Sequence, residues 1–308
     1  MKILVIGGHG FVGSNLTTLL KSHPTYKVIV ASRRNGLDLS DYGNTRSYLT
    51  KNKPDVIYNC AAHVGSVHYI ANHAADVIHD NMLTVINLYK AVSEVSSLSV
   101  IINPLSNCSY PGEANIHYEP DWWKGEVHES VFSYGNAKRF IYVISKCYKK
   151  QYGINTVNFL VPNAFGPGDY LDPNKVHAVN GMIIRLIQAK ENKAKEFEIW
   201  GTGQPIREWG YIKDIVKILE KGITFKDELL YPVNIAQNKG YSIRKSAMII
   251  SKIVGYKGKL VFNKNYEDGA PIKILDNRNF RKFFPNYQFT DHEKAIKETI
   301  KYYKQNLD

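Results

Sequence analysis

The sequence predicts an α/β fold: a doubly wound parallel sheet carrying a smaller α/β lobe that covers a substrate. Two observations support it: short β-branched runs alternate with helix-length segments through the first half, and the texture changes to Pro, Gly and Asn from Pro162 onward. A third is a glycine cluster, Gly7-Gly8-His9-Gly10, set directly between the first such run and the first helical segment.

Taken in order, Lys2-Ile-Leu-Val-Ile-Gly7 reads as a strand ending in glycines, and Phe11 to Leu20, apolar at helical spacing, as the first helix. Further strands are expected at Lys27 to Ala31, Asp55 to Asn59 and Ser99 to Ile102, with helix-length stretches between them. Ser133 to Tyr152 contains no Gly or Pro after Gly135 and stops at Gly153, which specifies one long helix, with Thr156 to Leu160 as the next strand. Residues 1–165 then form the doubly wound domain and 166–308 the lobe, with a segment at about 208–236 returning to the first domain. Gly166-Pro167-Gly168 and Asp172-Pro173-Asn174 mark turns at the start of the lobe.

Composition narrows the function classes. No apolar run approaches the roughly 20 residues of a membrane span, and Met1 to Gly7 lacks the features of an export signal. Three cysteines, Cys60, Cys108 and Cys147, give neither a disulfide framework nor metal-ligand spacing, so no metal is expected and a reducing cytoplasm fits. The net charge of +12 comes from scattered lysines interleaved with glutamates, as around Lys190, Lys193 and Lys195. No nucleic-acid module accompanies it; such a field favours an anionic small ligand.

Gly7, Gly10 and Gly13 form a G-x-x-G-x-x-G pattern whose last turn includes Phe11 and Val12. Between a strand and a helix, such glycines permit a tight turn, and the helix N-terminus offers amides to a pyrophosphate, as in a Rossmann domain. The second strand ends Ala31-Ser32-Arg33-Arg34, with no acidic residue for a free ribose hydroxyl. Basic residues there suit the extra phosphate of NADP(H), with NAD(H) the alternative.

Tyr134 and Lys138 are spaced i, i+4 on the expected long helix, so the ammonium can stand near the phenol and lower its pKa from about 10. Ser106 follows the fourth strand, at the carboxyl edge where doubly wound sheets place ligands, and can hydrogen-bond the same substrate oxygen.

Together the glycine turn, Ser106, Tyr134 and Lys138 resemble the extended short-chain dehydrogenase/reductases, and in detail the GDP-L-fucose synthase family. The resemblance runs almost the whole chain. It includes Ala61-Ala62-His-Val64-Gly65, Asp80-Asn81-Met82, Cys108-Ser-Tyr110-Pro111, Asn163 with Gly166-Pro167, Trp200-Gly-Thr-Gly203-Gln-Pro205-Ile-Arg207-Glu208, Val254-Gly-Tyr-Lys-Gly258 and Asp268-Gly-Ala-Pro271-Ile-Lys273.

That resemblance implies NADPH reduction of carbon 4 of a GDP-linked 4-keto-6-deoxy sugar, after epimerisation at carbons 3 and 5. Cys108 and His177 match the epimerisation pair. Ala61, Ala62 and Asn163 match cofactor positions, and Arg185, Trp200, Arg207 and Lys273 match positions that hold the nucleotide diphosphate and sugar. The resemblance also implies a homodimer, formed through the Tyr134 helix and a neighbour carrying Leu83, Ile86, Leu88 and Val92. Four departures stand out: His9 for an arginine, His63 for a lysine, Asn107 for a serine and Asn180 for a proline. They bear on the sugar, hexose or heptose, more than on the reaction class.

Other readings stay open. A nucleotide-sugar 4-dehydrogenase or 4-epimerase that retains its NAD would use the same Ser, Tyr and Lys. A non-catalytic dinucleotide-sensing protein is the alternative outside enzymes. A 4,6-dehydratase is disfavoured, because Asn107-Cys108 offers no carboxylate.

Overall fold

The computed structural model describes every residue except 96–98, 173, 174, 269 and 308. The turn expected at Asp172-Pro173-Asn174 and the Gly269 of the Asp-Gly-Ala-Pro run therefore lie, in whole or part, outside the described residues. A six-stranded parallel sheet runs in the order Val233–Asn234, Thr156–Val161, Val100–Ser106, Val56–Asn59, Lys2–Ile6, Lys27–Ala31.

The first strand shows why this sheet needs two covers. Ile3 and Val5 point into a core shared with the helices Phe11–Lys21 and Ile212–Lys221, while Leu4 and Ile6 point into the opposite core. That second core is closed by Tyr42–Asn52, Ala74–Val95 and Phe132–Tyr152. A strand apolar on both faces can bury both only between helical layers, which is the doubly wound arrangement. Leu88 and Val92, expected at a subunit interface, are fully buried in this core. Of the four residues expected there, Ile86 is the exposed one, at 40%.

The fourth strand, Val100–Ser106, extends four residues beyond the expected Ile102. Asn103 and Pro104 look like turn residues in sequence, but Asn103 is fully buried and its amide is satisfied sideways. Asn59 Nδ2 donates to Asn103 Oδ1 (3.2 Å), and Asn103 Nδ2 donates to Asn158 Oδ1 (3.0 Å) and Tyr89 Oη (3.0 Å). Three neighbouring strands are thereby stitched by side-chain amides through the sheet interior.

Beyond Val161 the chain builds the lobe from the helices Ala178–Glu191, Ile243–Val254 and His292–Lys304, which pack on one another. A second, four-stranded sheet orders Tyr241–Ser242, Ile206–Arg207, Ile272–Leu275 and Ile116–His117, so a strand from the first half of the chain enters it. Glu208 joins the two parts. It is 1% exposed, its carboxylate accepts the Gln237 and Leu275 amides (2.6 and 2.9 Å), and its carbonyl accepts Asn163 Nδ2 (3.3 Å). The short helix Arg278–Phe283 also packs back on Val233–Asn234, and Phe284 meets Phe159 of the main sheet (6.3 Å).

The amide ladder gives a stability prediction. Asn103→Ala leaves Asn59 without its acceptor and Asn158 without its donor in a dry interior. It is expected to lower the unfolding free energy by about 2–4 kcal/mol with an unchanged urea m-value. A loss under about 1 kcal/mol in urea titration would show that the ladder contributes little.

Candidate active site

The glycine turn is wedged against the chain following the third strand. Gly7 has φ +71°, and a Cβ there would lie 2.7 Å from the Ala61 nitrogen and the Cys60 carbonyl carbon. A Cβ on Gly13 would lie 2.2 Å from Gly7 O. Only glycine serves at either position. The first helix then starts at Phe11 behind Gly10, with no side-chain cap and no acidic residue in its first turn. The amides of Phe11, Val12 and Gly13 have no acceptor within their own helix, so an uncompensated dipole end faces outward. Arg33 and Arg34 sit exposed on a single 3₁₀ turn, Arg33–Asn35, directly after the second strand, which itself pairs with the strand feeding the glycine turn. Free backbone amides and exposed guanidinium groups thus stand beyond the carboxyl ends of the first two strands, and Ala61, Ala62 and Asn163 follow the carboxyl ends of Val56–Asn59 and Thr156–Val161.

Ser106 ends the fourth strand, and its Oγ accepts the Cys108 amide (3.2 Å) in the 3₁₀ turn Asn107–Ser109. The helix Phe132–Tyr152 docks on this turn so closely that a Cβ on Gly135 would lie 2.6 Å from Cys108 O. Arg139, 7% exposed, fixes the docking by donating to the carbonyls of Ser109 (2.8 Å), Trp122 (2.7 Å) and Gly125 (2.9 Å). Tyr134 and Cys108 come to lie side by side against Ile70, Val127 and Val131.

Lys138, one turn further along the helix, is 4% exposed; its Nζ donates to Pro104 O (3.4 Å) and stands 5.4 Å from the centre of the Tyr134 ring. The four residues expected to do chemistry at the sheet edge, Ser106, Cys108, Tyr134 and Lys138, are therefore brought together. The expected lowering of the phenol's pKa is not found. Burial, with the neighbouring Cys108 thiol adding to it, pushes Tyr134 up, and burial pushes Lys138 down to about 8. Burial shifts both groups toward their neutral forms: the phenol stays protonated, while the ammonium is still the main form of Lys138 at pH 7 but is held less firmly than in water.

His177 stands apart, at the start of the helix Ala178–Glu191, with its ring 5.1 Å from Phe11 at the head of the first helix. Its Nδ1 lies 3.1 Å from both carboxylate oxygens of Asp169, whose side chain is fully buried. Asp169 Oδ2 also accepts the His177 amide and Asn180 Nδ2, each at 2.8 Å. Neither Asp169 nor Asn180 was marked as functional by sequence spacing. Asp169 lies in the turn-rich segment before the helix Ala178–Glu191, where no regular element lets sequence spacing place it beside His177.

Arg207 and Lys273 face one another in register on adjacent strands of the lobe's sheet. Burial pushes both down; at Lys273 the nearby Cys108 thiol works against this and the Arg207 charge adds to it, while at Arg207 the Asp268 carboxylate works against it. His117, 1% exposed and stacked on Tyr110 (4.3 Å, 13°), lies within their reach; burial, then the Lys273 charge, push it down to about 3, so it stays neutral. Two half-buried cations side by side call for a dianionic guest such as a diphosphate. Arg185 lies over Phe197 (5.3 Å), and Trp200, 63% exposed, stacks on Tyr266 (4.7 Å, 15°), offering a flat apolar face.

The model of the NAD dependent epimerase/dehydratase family matches residues 3–236. A GDP-L-fucose synthase of Sinorhizobium fredii is 31% identical over 277 residues, covering 90% of this chain and 87% of that protein. One from Dictyostelium discoideum is 29% identical over 315 residues, covering 99% and 96%. The crystal structure of a GDP-L-fucose synthetase from Naegleria fowleri bound to NADP superposes with a TM-score of 0.90 at 24% identity, covering 99% of this chain and 93% of that one.

The buried Lys138 also predicts a pH-dependent stability. Its pKa falls to about 8 from the ordinary value of about 10.4, so the folded protein binds this proton less readily than the unfolded chain. The resulting penalty is fully present below pH 8 and fades as pH rises toward about 10.4. At pH 7 it is on the order of 3 kcal/mol. Lys138→Met should therefore raise the unfolding free energy of the ligand-free protein by about 1–3 kcal/mol at pH 7 and by less at pH 10. Urea titrations at the two pH values decide this, and a variant no more stable than the parent at pH 7 would refute it.

Proposed function

The chain belongs to the NAD-dependent epimerase/dehydratase family, and we propose that it is an NADP(H)-dependent reductase acting on carbon 4 of a GDP-linked 4-keto hexose or heptose, with epimerisation at carbons 3 and 5. The observation that carries this reading is the meeting of Ser106, Tyr134, Lys138 and Cys108 where the fourth strand ends, beside a sheet edge fitted for a dinucleotide. The relatives' names support a GDP-linked sugar. The Arg207–Lys273 pair supports a diphosphate held at the lobe, with Arg185 and Trp200 toward the base.

The reduced nicotinamide supplies the hydride; the protein's part is to hold the ketone and deliver a proton. The Ser106 hydroxyl and the Tyr134 phenol donate to the carbonyl oxygen, and Tyr134 gives up its proton as charge develops there. A phenol whose pKa is raised stays protonated until that charge appears, and Lys138, one helical turn away, stabilises the phenolate that results. Before reduction the same ketone acidifies the two neighbouring carbons. Cys108, adjoining Tyr134, removes a proton from a ring C–H, and His177 returns one from the opposite face. We further propose a homodimer using the outer faces of the Ala74–Val95 and Phe132–Tyr152 helices, where Ile86, Phe132 and Val143 are exposed. The three unpaired cysteines support a cytoplasmic location.

Two experiments test the reading. Tyr134→Phe is expected to slow NADPH oxidation with a GDP-4-keto-6-deoxyhexose by about 10²–10⁴-fold while NADPH binding stays near that of the parent. Turnover at the parent rate removes Tyr134 as the proton donor, and no oxidation by the parent with any 4-keto nucleotide sugar removes the reductase reading. Replacing Arg33 and Arg34 by Ser should weaken NADPH much more than NADH, because only the former carries the extra phosphate. Equal effects on both cofactors would place that phosphate elsewhere.

A further inference from the structure

The hydrogen bonds around His177 have a polarity that can be traced without ambiguity from one backbone amide. The Gly166 amide can only donate, and it donates to Asn180 Oδ1 (3.0 Å). The Asn180 NH₂ must therefore face Asp169, where Nδ2 donates to Oδ2 (2.8 Å). The same Oδ2 accepts the His177 backbone amide (2.8 Å). Burial works to raise the pKa of Asp169, but the hydrogen bond and charge of His177, with the Asn180 bond, hold it below the usual carboxylate range. An ionised carboxylate has no proton to give, so His177 Nδ1, 3.1 Å from both oxygens, is the donor of that contact. The next titratable group facing Asp169 is Tyr303 of the C-terminal helix, which burial pushes up and keeps neutral.

We infer that Asp169 and Asn180 are positioning residues that lock neutral His177 in its Nδ1–H tautomer, leaving Nε2 as the atom that exchanges a proton with the substrate. Isolated neutral imidazoles choose their tautomer freely; here the choice is imposed by a fully buried amide and carboxylate, Asn180 being 0% exposed. The proton-exchange half rests on the epimerase reading above. In that step Cys108 enters as its thiolate and His177 as the imidazolium; an S–H bond forms as the ring C–H bond breaks, and the electron pair moves onto the carbonyl oxygen as an enolate. The His177 imidazolium then gives the Nε2 proton back to that carbon from the other side, which leaves the neutral Nδ1–H form that Asp169 favours.

Asp169→Asn tests the lock because its outcome is dictated by the same polarity. Two donors, the His177 amide and Asn180 Nδ2, meet at the Oδ2 position, so the new amide must keep its oxygen there and turn its NH₂ toward His177 Nδ1. That forces the Nε2–H tautomer. The same exchange in hydrolase triads costs about 10⁴ in turnover while leaving the geometry intact.

The measurement is a long-range ¹H–¹⁵N correlation spectrum of histidine-labelled protein at a pH where the imidazole is neutral, with His177 assigned by its loss in His177→Asn. The parent should show Nδ1–H and Asp169→Asn should show Nε2–H. Deuterium uptake at carbons 3 and 5 of a 4-keto nucleotide sugar should fall by about 10²–10⁴-fold in Asp169→Asn, while direct 4-keto reduction stays within about threefold. An Nε2–H tautomer in the parent overturns the inference even where the variant fails to fold, and so does one tautomer shared by parent and variant. Undiminished uptake in a folded variant with the switched tautomer overturns the proton-exchange half. Nδ1–H in a parent that shows no uptake with any 4-keto sugar leaves the lock standing and removes the epimerase half of the proposed function.

Discussion

The close docking of the helix Phe132–Tyr152 on the end of the fourth strand is the constraint on which the site depends. Gly135 makes it sterically feasible, since any side chain there would collide with Cys108 O and Val127. Arg139 makes it specific, because its guanidinium spends its donors on carbonyls of the loop that the helix touches. Tyr134 immediately precedes the first anchor in sequence and Lys138 the second. Their positions relative to Ser106 and Cys108 follow from the docking rather than from any direct bond among them. A buried cation with three carbonyl partners is a rigid joint, and rigidity here is what keeps reacting groups within the fraction of an ångström that proton transfer tolerates.

The same joint explains why both catalytic ionisable groups are neutral-leaning in the free protein. A phenol and an ammonium held against the closely docked helix lose hydration, and the one carbonyl given to Lys138, from Pro104, does not replace it. Proline at that point in a central strand is unusual, since it breaks the ladder. The Pro104 carbonyl is the one that reaches Lys138 Nζ, so the strand interior supplies the lysine's anchor at the cost of some local regularity. If Tyr134 and Lys138 serve as proposed, stability is given up where charge must later develop, as in a site organised for a transition state rather than for its resting form.

Much of this was legible in the sequence. Alternating strand and helix patterns, the glycine turn and the Tyr134–Lys138 spacing are local signals, and they led to the parallel sheet and to four residues that do meet. What was not legible depended on distance along the chain. Asn103 and Pro104 are turn-favouring residue types, and backbone pairing with Thr156–Val161, with the side-chain amides of Asn59 and Asn158, carries the fourth strand on to Ser106. Leu88 and Val92 had helical spacing, but spacing cannot say which of two apolar partners, sheet or subunit, a stripe will face. Asp169 was hidden because a loop brings it to His177, and Asn180 stood out only as a departure from the family pattern, not as a partner of Asp169. Lowering of the Tyr134 pKa was inferred from one charge, whereas the pocket's dryness, invisible in sequence, sets the sign.

The first helix ties the two halves of the proposed chemistry together. Its N-terminal amides face the expected pyrophosphate, and Asn15 on its next turn donates to Pro167 O (3.0 Å), holding the loop that carries Asp169. Phe11, its first residue, lies against the His177 ring. The loop therefore rests on the element that would bind the dinucleotide, and the proton-exchanging imidazole is placed by the cofactor site as much as by the lobe. Hydride transfer draws its residues from the sheet edge and the docked helix, while proton return draws on this loop. A displacement of the first helix would disturb both, whereas loss of the Asp169 contact would disturb only the second. The two proposed chemistries are thus separable at the level of side chains and linked at the level of backbone through the first helix.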